Sequence, residues 1–86
     1  MIMKLLYCTY CQDFLNLGYL EKICSCGRVK GRYTDDLNAL HNGNGITIGI
    51  ANDSFARAIR DQPECGMGKE FTAFVIPKQC ATFAVE

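Results

Sequence analysis

Eighty-six residues carrying nine basic and nine acidic side chains, and so no net charge, narrow the function before any motif is read. A chain of this length makes one domain with a modest core. Its neutrality is a weak footprint for duplex nucleic acid, which is held through many phosphate contacts, and no apolar run approaches the roughly 20 residues that span a bilayer. The total conceals a division: residues 1–33 balance to +3 and residues 34–86 to −3.

Residues 2–7, Ile-Met-Lys-Leu-Leu-Tyr, form an apolar run that reads as a short strand. It leads into Cys8-Thr-Tyr-Cys11, a twelve-residue excursion, and then Cys24-Ser-Cys26-Gly27. Two close cysteine pairs at this separation can converge four thiolates on one tetrahedral centre, with Gly27 easing the second turn. The expectation is therefore a structural zinc held by Cys8, Cys11, Cys24 and Cys26. The excursion Gln12 to Ile23, with Phe14, Leu15, Leu17, Tyr19 and Leu20 and few turn residues, reads as a short hairpin or extended finger between the knuckles.

This arrangement resembles a zinc ribbon over residues 5–33 and departs from the commonest form because its second pair is C-x-C. Six cysteines also permit a secreted disulfide framework. The opening Met-Ile-Met-Lys, with few apolar residues before Cys8, does not read as a signal peptide. A reducing, cytoplasmic setting is the expectation, with Cys65 and Cys80 as free thiols.

Period two places Arg28, Lys30 and Arg32 on one face and Val29 and Tyr33 on the other. Such a face is either solvated or suited to phosphate or carboxylate. Asn42-Gly-Asn-Gly45 between two β-type runs predicts an antiparallel hairpin of strands 37–41 and 45–50, with Ile46, Ile48 and Ile50 facing the core. His41, the single histidine, is superfluous as a ligand beside four thiolates and reads as a surface or hydrogen-bonded side chain.

A helix is predicted over Ser54 to Gln62, capped by Asn52 or Asp53 and stopped by Pro63. Phe55, Ala58, Ile59 and Ala56 would lay an apolar stripe on a sheet face, with Arg57 and Arg60 outward. Gly66-Met67-Gly68-Lys69 is not a nucleotide-triphosphate loop, because a strand and not a helix follows it; a looser nest of amides with Lys69 remains open. Phe71 to Ile76 is apolar on both faces, as in a central strand or a subunit contact. A homodimer burying Phe74 and Ile76 is one expectation; the other is that the tail residues Phe83 and Val85 fold back to cover the strand.

The whole reads as an α+β domain over residues 1–86, a small antiparallel sheet with one helix: a zinc-ribbon-like element in 5–33, then hairpin, helix and C-terminal strand in 34–86. C-x-x-C, C-x-C-G-x-x-x-G-R-Y and Phe71-Thr-Ala-Phe-Val-Ile-Pro77 together are similar to a group of small proteins encoded by bacteria and their phages. That resemblance implies a setting and no established activity; an accessory protein that inhibits a host factor is one expectation within that setting. No nucleophile–base pair, carboxylate pair or open metal position is convincing, since Asp35-Asp36 reads as a turn and Cys65 has no histidine partner identifiable in sequence, so a non-enzymatic role is expected. The leading expectation is a protein-interaction module. Two alternatives stand beside it: a sequesterer of a signalling nucleotide or other small anion, with Arg28, Lys30, Arg32 and Lys69 on its phosphates and Tyr33 stacked on a base, and a nucleic-acid-binding ribbon.

Overall fold

The structure, a computed structural model, describes residues 2–86. It is an α+β fold of eight strands and one helix: β1 (Ile2–Tyr7), β2 (Phe14–Asn16), β3 (Lys22–Ile23), β4 (Lys30–Tyr33), β5 (Ala39–His41), β6 (Ile46–Ala51), α1 (Asn52–Arg60), β7 (Ala73–Val75) and β8 (Phe83–Val85). Two four-stranded sheets form, one ordered β2-β1-β6-β7 and the other β3-β4-β5-β8. The first is antiparallel throughout; the second is mixed, because β8 joins β5 in parallel.

The core lies between the sheets. Leu6, Leu15 and Ile76 from the first meet Val29, Ala39 and Phe83 from the second, and Cys8 and Cys24 close one end. Contact is tight at Gly31, where a Cβ would stand 2.6 Å from Leu6 Cδ1 and 2.8 Å from the Leu40 carbonyl. Only a residue without a Cβ admits that approach. Lys4 is 7% exposed. Its Nζ donates to the Leu37 carbonyl at 2.8 Å, and its backbone N–H donates to the Tyr33 hydroxyl at 3.0 Å.

Several expectations from the sequence are corrected. The excursion between the knuckles is not a finger: β2 folds back on β1 and β3 pairs with β4, so the chain passes from one sheet to the other between them. Residues 37–41 and 45–50 do not form a hairpin with each other. β5 pairs with β4 and β8, and β6 pairs with β1 and β7. The Asn-rich segment is instead a crossover tied to its neighbour, since the Asn42 and Asn44 amides both donate to the Arg28 carbonyl at 2.9 Å.

Ile46, Ile48 and Ile50 do not face the core either. Thr47 and Gly49 are the buried residues of β6, while Ile46 is 38% exposed. The inner face there is filled from β7 and beyond: the Phe74 ring lies against Gly49, and Ile76 donates its N–H to the Thr47 carbonyl at 2.8 Å while its own carbonyl accepts from Thr47 Oγ1 at 3.0 Å.

The helix begins at Asn52, with Ala51 at the N-cap and no side-chain capping bond. Ser54 Oγ instead donates to the Ala51 carbonyl and accepts from the Thr72 N–H, both at 2.9 Å. No residue of α1 is buried, so it does not cover a sheet face as expected; Phe55 packs edge-on against Phe71 at 4.8 Å. Strand β7 is shorter than predicted and lies at the sheet edge. The tail folds back only in part as expected: Phe83 is fully buried between the sheets, but β8 adds to β5 and does not cover the 71–76 segment, and Val85 is 57% exposed. Among the described residues, no helix is long and apolar enough to cross a membrane.

Candidate metal centre

Each knuckle is the tip of a different hairpin. Cys8 follows β1 and Cys11 sits in the turn to β2; Cys24 follows β3 and Cys26 sits in the turn to β4. In the first turn the Cys8 N–H donates to the Asp13 carbonyl at 2.9 Å and the Gln12 N–H to the Cys8 carbonyl at 2.8 Å, with Gln12 at a φ of 62°. In the second the Cys24 N–H donates to the Val29 carbonyl at 2.9 Å and the Gly27 N–H to the Cys24 carbonyl at 3.0 Å. Gly27 takes a φ of 80° there, which a β-carbon would resist.

These turns bring the four Sγ atoms within 4.8 Å of one another. Cys26 Sγ lies 3.5 Å from both Cys8 Sγ and Cys24 Sγ. A tetrahedron of thiolates at a metal–sulfur distance of about 2.3 Å needs sulfurs about 3.8 Å apart, so the cluster fits a tetrahedral ion with small adjustments. All six cysteines are free thiols. Backbone donors already face two of the sulfurs: the Val29 N–H lies 3.3 Å from Cys24 Sγ and the Cys11 N–H 3.5 Å from Cys8 Sγ. Such donors offset the charge of grouped thiolates.

Asp13 is the functional residue that sequence reasoning missed. Its Oδ2 accepts from the Ser25 N–H at 3.2 Å and the Ser25 hydroxyl at 3.1 Å, tying the first knuckle to the second independently of any metal. An Asp two positions after a cysteine pair carries no recognised spacing signal; only the closeness of the turns reveals it.

The thiols divide in acidity. Burial raises Cys24, but the Val29 backbone and the thiols of Cys26, Cys8 and Cys11 outweigh it and bring it down to about 6. The Arg28 backbone lowers Cys26, but desolvation and the same thiols prevail and push it up to about 12. The first thiolate of the metal-free cluster therefore forms at Cys24. A folded-state value below the free-thiol value of about 8.5 favours the thiolate above it and forfeits that gain as pH falls through about 6. Metal uptake displaces the thiol protons, so uptake by the metal-free chain is expected to weaken progressively as pH falls and to weaken further once Cys24 is also protonated, below about 6; metal content after equilibration at a series of pH values checks it.

The remaining candidate residues are scattered. Arg28 lies over the Tyr10 ring, 4.2 Å from its centroid. Arg32 pairs with Glu86 at 3.4 Å, an exposed ion pair of small energetic weight. Lys30 shares their side of β4, as period two predicts, since Val29 and Gly31 are buried. Lys69 does not join them: it lines an open cleft with Phe55, Ile59 and Phe71 at the helix. The Tyr33 hydroxyl is engaged by Lys4.

His41 is outside the cysteine cluster and 6% exposed. Its Nδ1 accepts from the Gly43 N–H at 3.1 Å, and its ring meets Phe83 edge-on at 5.0 Å. Burial holds it below the usual histidine range, against the pull of the Phe83 backbone. Cys65 is exposed, and Cys80 is half-buried with Sγ 3.4 Å from the Thr82 hydroxyl. Ile76, one of the two expected subunit contacts, is 6% exposed and belongs to the chain's own core; Phe74 is 38% exposed.

Comparison with protein families, curated proteins and solved structures finds no match to this chain. The cysteine cluster itself supports the likeness to a zinc knuckle; the wider likeness to bacterial and phage proteins gains no support from these comparisons.

Proposed function

We propose that the protein is a non-enzymatic interaction module whose two sheets are clasped at one end by a structural zinc. The observation that carries this reading is the position of the four sulfurs at the tips of two hairpins from different sheets, within 4.8 Å of each other. Soft thiolates in a tetrahedral set select zinc over hard cations. Four protein ligands leave no open position for water or substrate, so the ion's role is to hold backbone and not to activate a nucleophile.

The nucleotide-sequesterer reading has less support: Lys69 lies apart from Arg28, Lys30 and Arg32, and Arg28, Arg32 and the Tyr33 hydroxyl each already have a partner within the chain. A calorimetric titration with mono-, di- and cyclic nucleotides is expected to give no heat. Native mass spectrometry with elemental analysis tests the main reading: one zinc per chain is expected, with no reaction of the four thiols toward a thiol reagent until the zinc is chelated. A metal-free protein with Cys8, Cys11, Cys24 and Cys26 oxidised in pairs would overturn it.

A further inference from the structure

Alternate residues of a strand share a face, so Phe83 and Val85 both look inward from β8. Phe83 is fully buried between the sheets, yet Val85 is 57% exposed. The sandwich is therefore not filled to its rim. Strands β7 and β8 are edge strands of their sheets, and near them a cleft of about 410 Å³ is lined by residues of both sheets and by the crossover at residues 43–45. His41, Thr47 and Ile76 line it although each is no more than 7% exposed, so the cleft reaches the core. Its size falls among small-molecule sites, which run from about 300 to 1,000 Å³.

The lining joins aliphatic walls to donors that lack acceptors. Ile46, Ile76 and Val85 supply the walls, and the Thr47 hydroxyl is engaged by the Ile76 carbonyl at 3.0 Å. His41 Nδ1 accepts from the Gly43 N–H at 3.1 Å, which places the proton of the neutral ring on Nε2. That Nε2 is buried and has no hydrogen-bond partner among the described residues. Lys78 is exposed and forms no ion pair among the described residues, and no acidic side chain lines the cleft.

We propose that this cleft binds a small carboxylate with an apolar body, its hydrocarbon held between the sheets and its charge met by the Lys78 ammonium. Donors without acceptors call for a ligand that brings acceptor oxygens, and the lone cation of the lining balances a single negative charge. A phosphate monoester carries nearly twice that charge at neutral pH and would leave part of it unpaired beside aliphatic walls. An alkylammonium of the same length meets like charge at Lys78 and finds no carboxylate to pair with. The inference goes beyond the interaction-module reading and rests neither on it nor on zinc.

Calorimetric titration with octanoate, octanol and octylammonium tests it, because the three share one chain and differ in head group. Octanoate is expected to bind saturably with a Kd of about 1 mM or tighter, and octylammonium at least about tenfold more weakly. Lys78→Met removes the charge at an exposed position, so the variant is expected to fold. It should bind octanoate about tenfold more weakly and octanol with unchanged affinity. Lys69→Met, at the separate cleft beside the helix, is the control and is expected to bind octanoate as the wild type does. Absence of saturable octanoate binding up to about 10 mM overturns the inference, as does equal affinity for octanoate and octylammonium. Weakening by Lys69→Met and not by Lys78→Met moves the ligand to the helix cleft and overturns the assignment. None of these outcomes alters the zinc count or the reactivity of the four thiols, so the two readings fail separately.

Discussion

Cys8→Ser is expected to lose the metal and lower the thermal midpoint by more than about 10 °C. Cys8 is fully buried at the end of β1, its sulfur 3.5 Å from Cys26 Sγ. A serine hydroxyl stays protonated at neutral pH and is a harder, shorter ligand, so three thiolates would remain around an incomplete site. Apparent binding energies of structural zinc sites, about 10–16 kcal/mol, equal or exceed the 5–15 kcal/mol of a whole domain. Forfeiting even a quarter of that is about 3 kcal/mol, or about 12–24 °C for a chain of this size. Cys65→Ser, at an exposed cysteine outside the cluster, is the control and should leave both metal content and midpoint unchanged. Chelation of the wild-type protein should reproduce the Cys8→Ser midpoint. An unaltered zinc count in the Cys8→Ser protein would sink the four-thiolate assignment.

The second large effect is expected far from the metal. Phe83→Ala should destabilise the chain by about 3–5 kcal/mol. Phe83 has no exposed surface, packs edge-on against His41 and lies on the strand that completes the second sheet. Its removal opens a cavity between the sheets and weakens the hold of β8 on β5. Phe83→Leu keeps most of the volume and should cost far less, under about 1.5 kcal/mol. Urea denaturation measures both, and a cost below about 1 kcal/mol for the alanine variant would mean that the tail is not part of the core.

How much of this was readable from residues alone depended on whether the deciding interaction was local. The knuckles were legible because C-x-x-C and C-x-C-G fix a tight turn within a few residues, and the strand before Cys8 because its apolar run is continuous. Phe83 in the tail was legible as too apolar to be left in solvent. The partners of β5 and β6 were not: Asn42-Gly-Asn-Gly45 carries a hairpin signal, but side-chain bonds to the Arg28 carbonyl anchor it to the turn before β4, and the chain passes to the other sheet.

The isoleucines of β6 show a second limit. Period two determines which residues share a face, not which face turns inward. That choice was made by Phe74 resting on Gly49 and by Ile76 bonding Thr47, residues more than twenty positions away. Asp13 was hidden for the same reason, since its partner Ser25 lies across the gap between two hairpins.

The clasp also sets an order of events in folding. It joins residues 8 to 26, whereas closing the first sheet pairs Leu6 with Thr47 and closing the second pairs Ala39 with Phe83. Distant pairings are slow because the chain entropy of each loop is lost before its contacts form. On the proposed reading, a metal captured early would hold the tips of two hairpins together and give the strands that follow a fixed frame to add to. The supply of such an ion would then govern how fast the chain reaches its fold as well as how firmly it stays there.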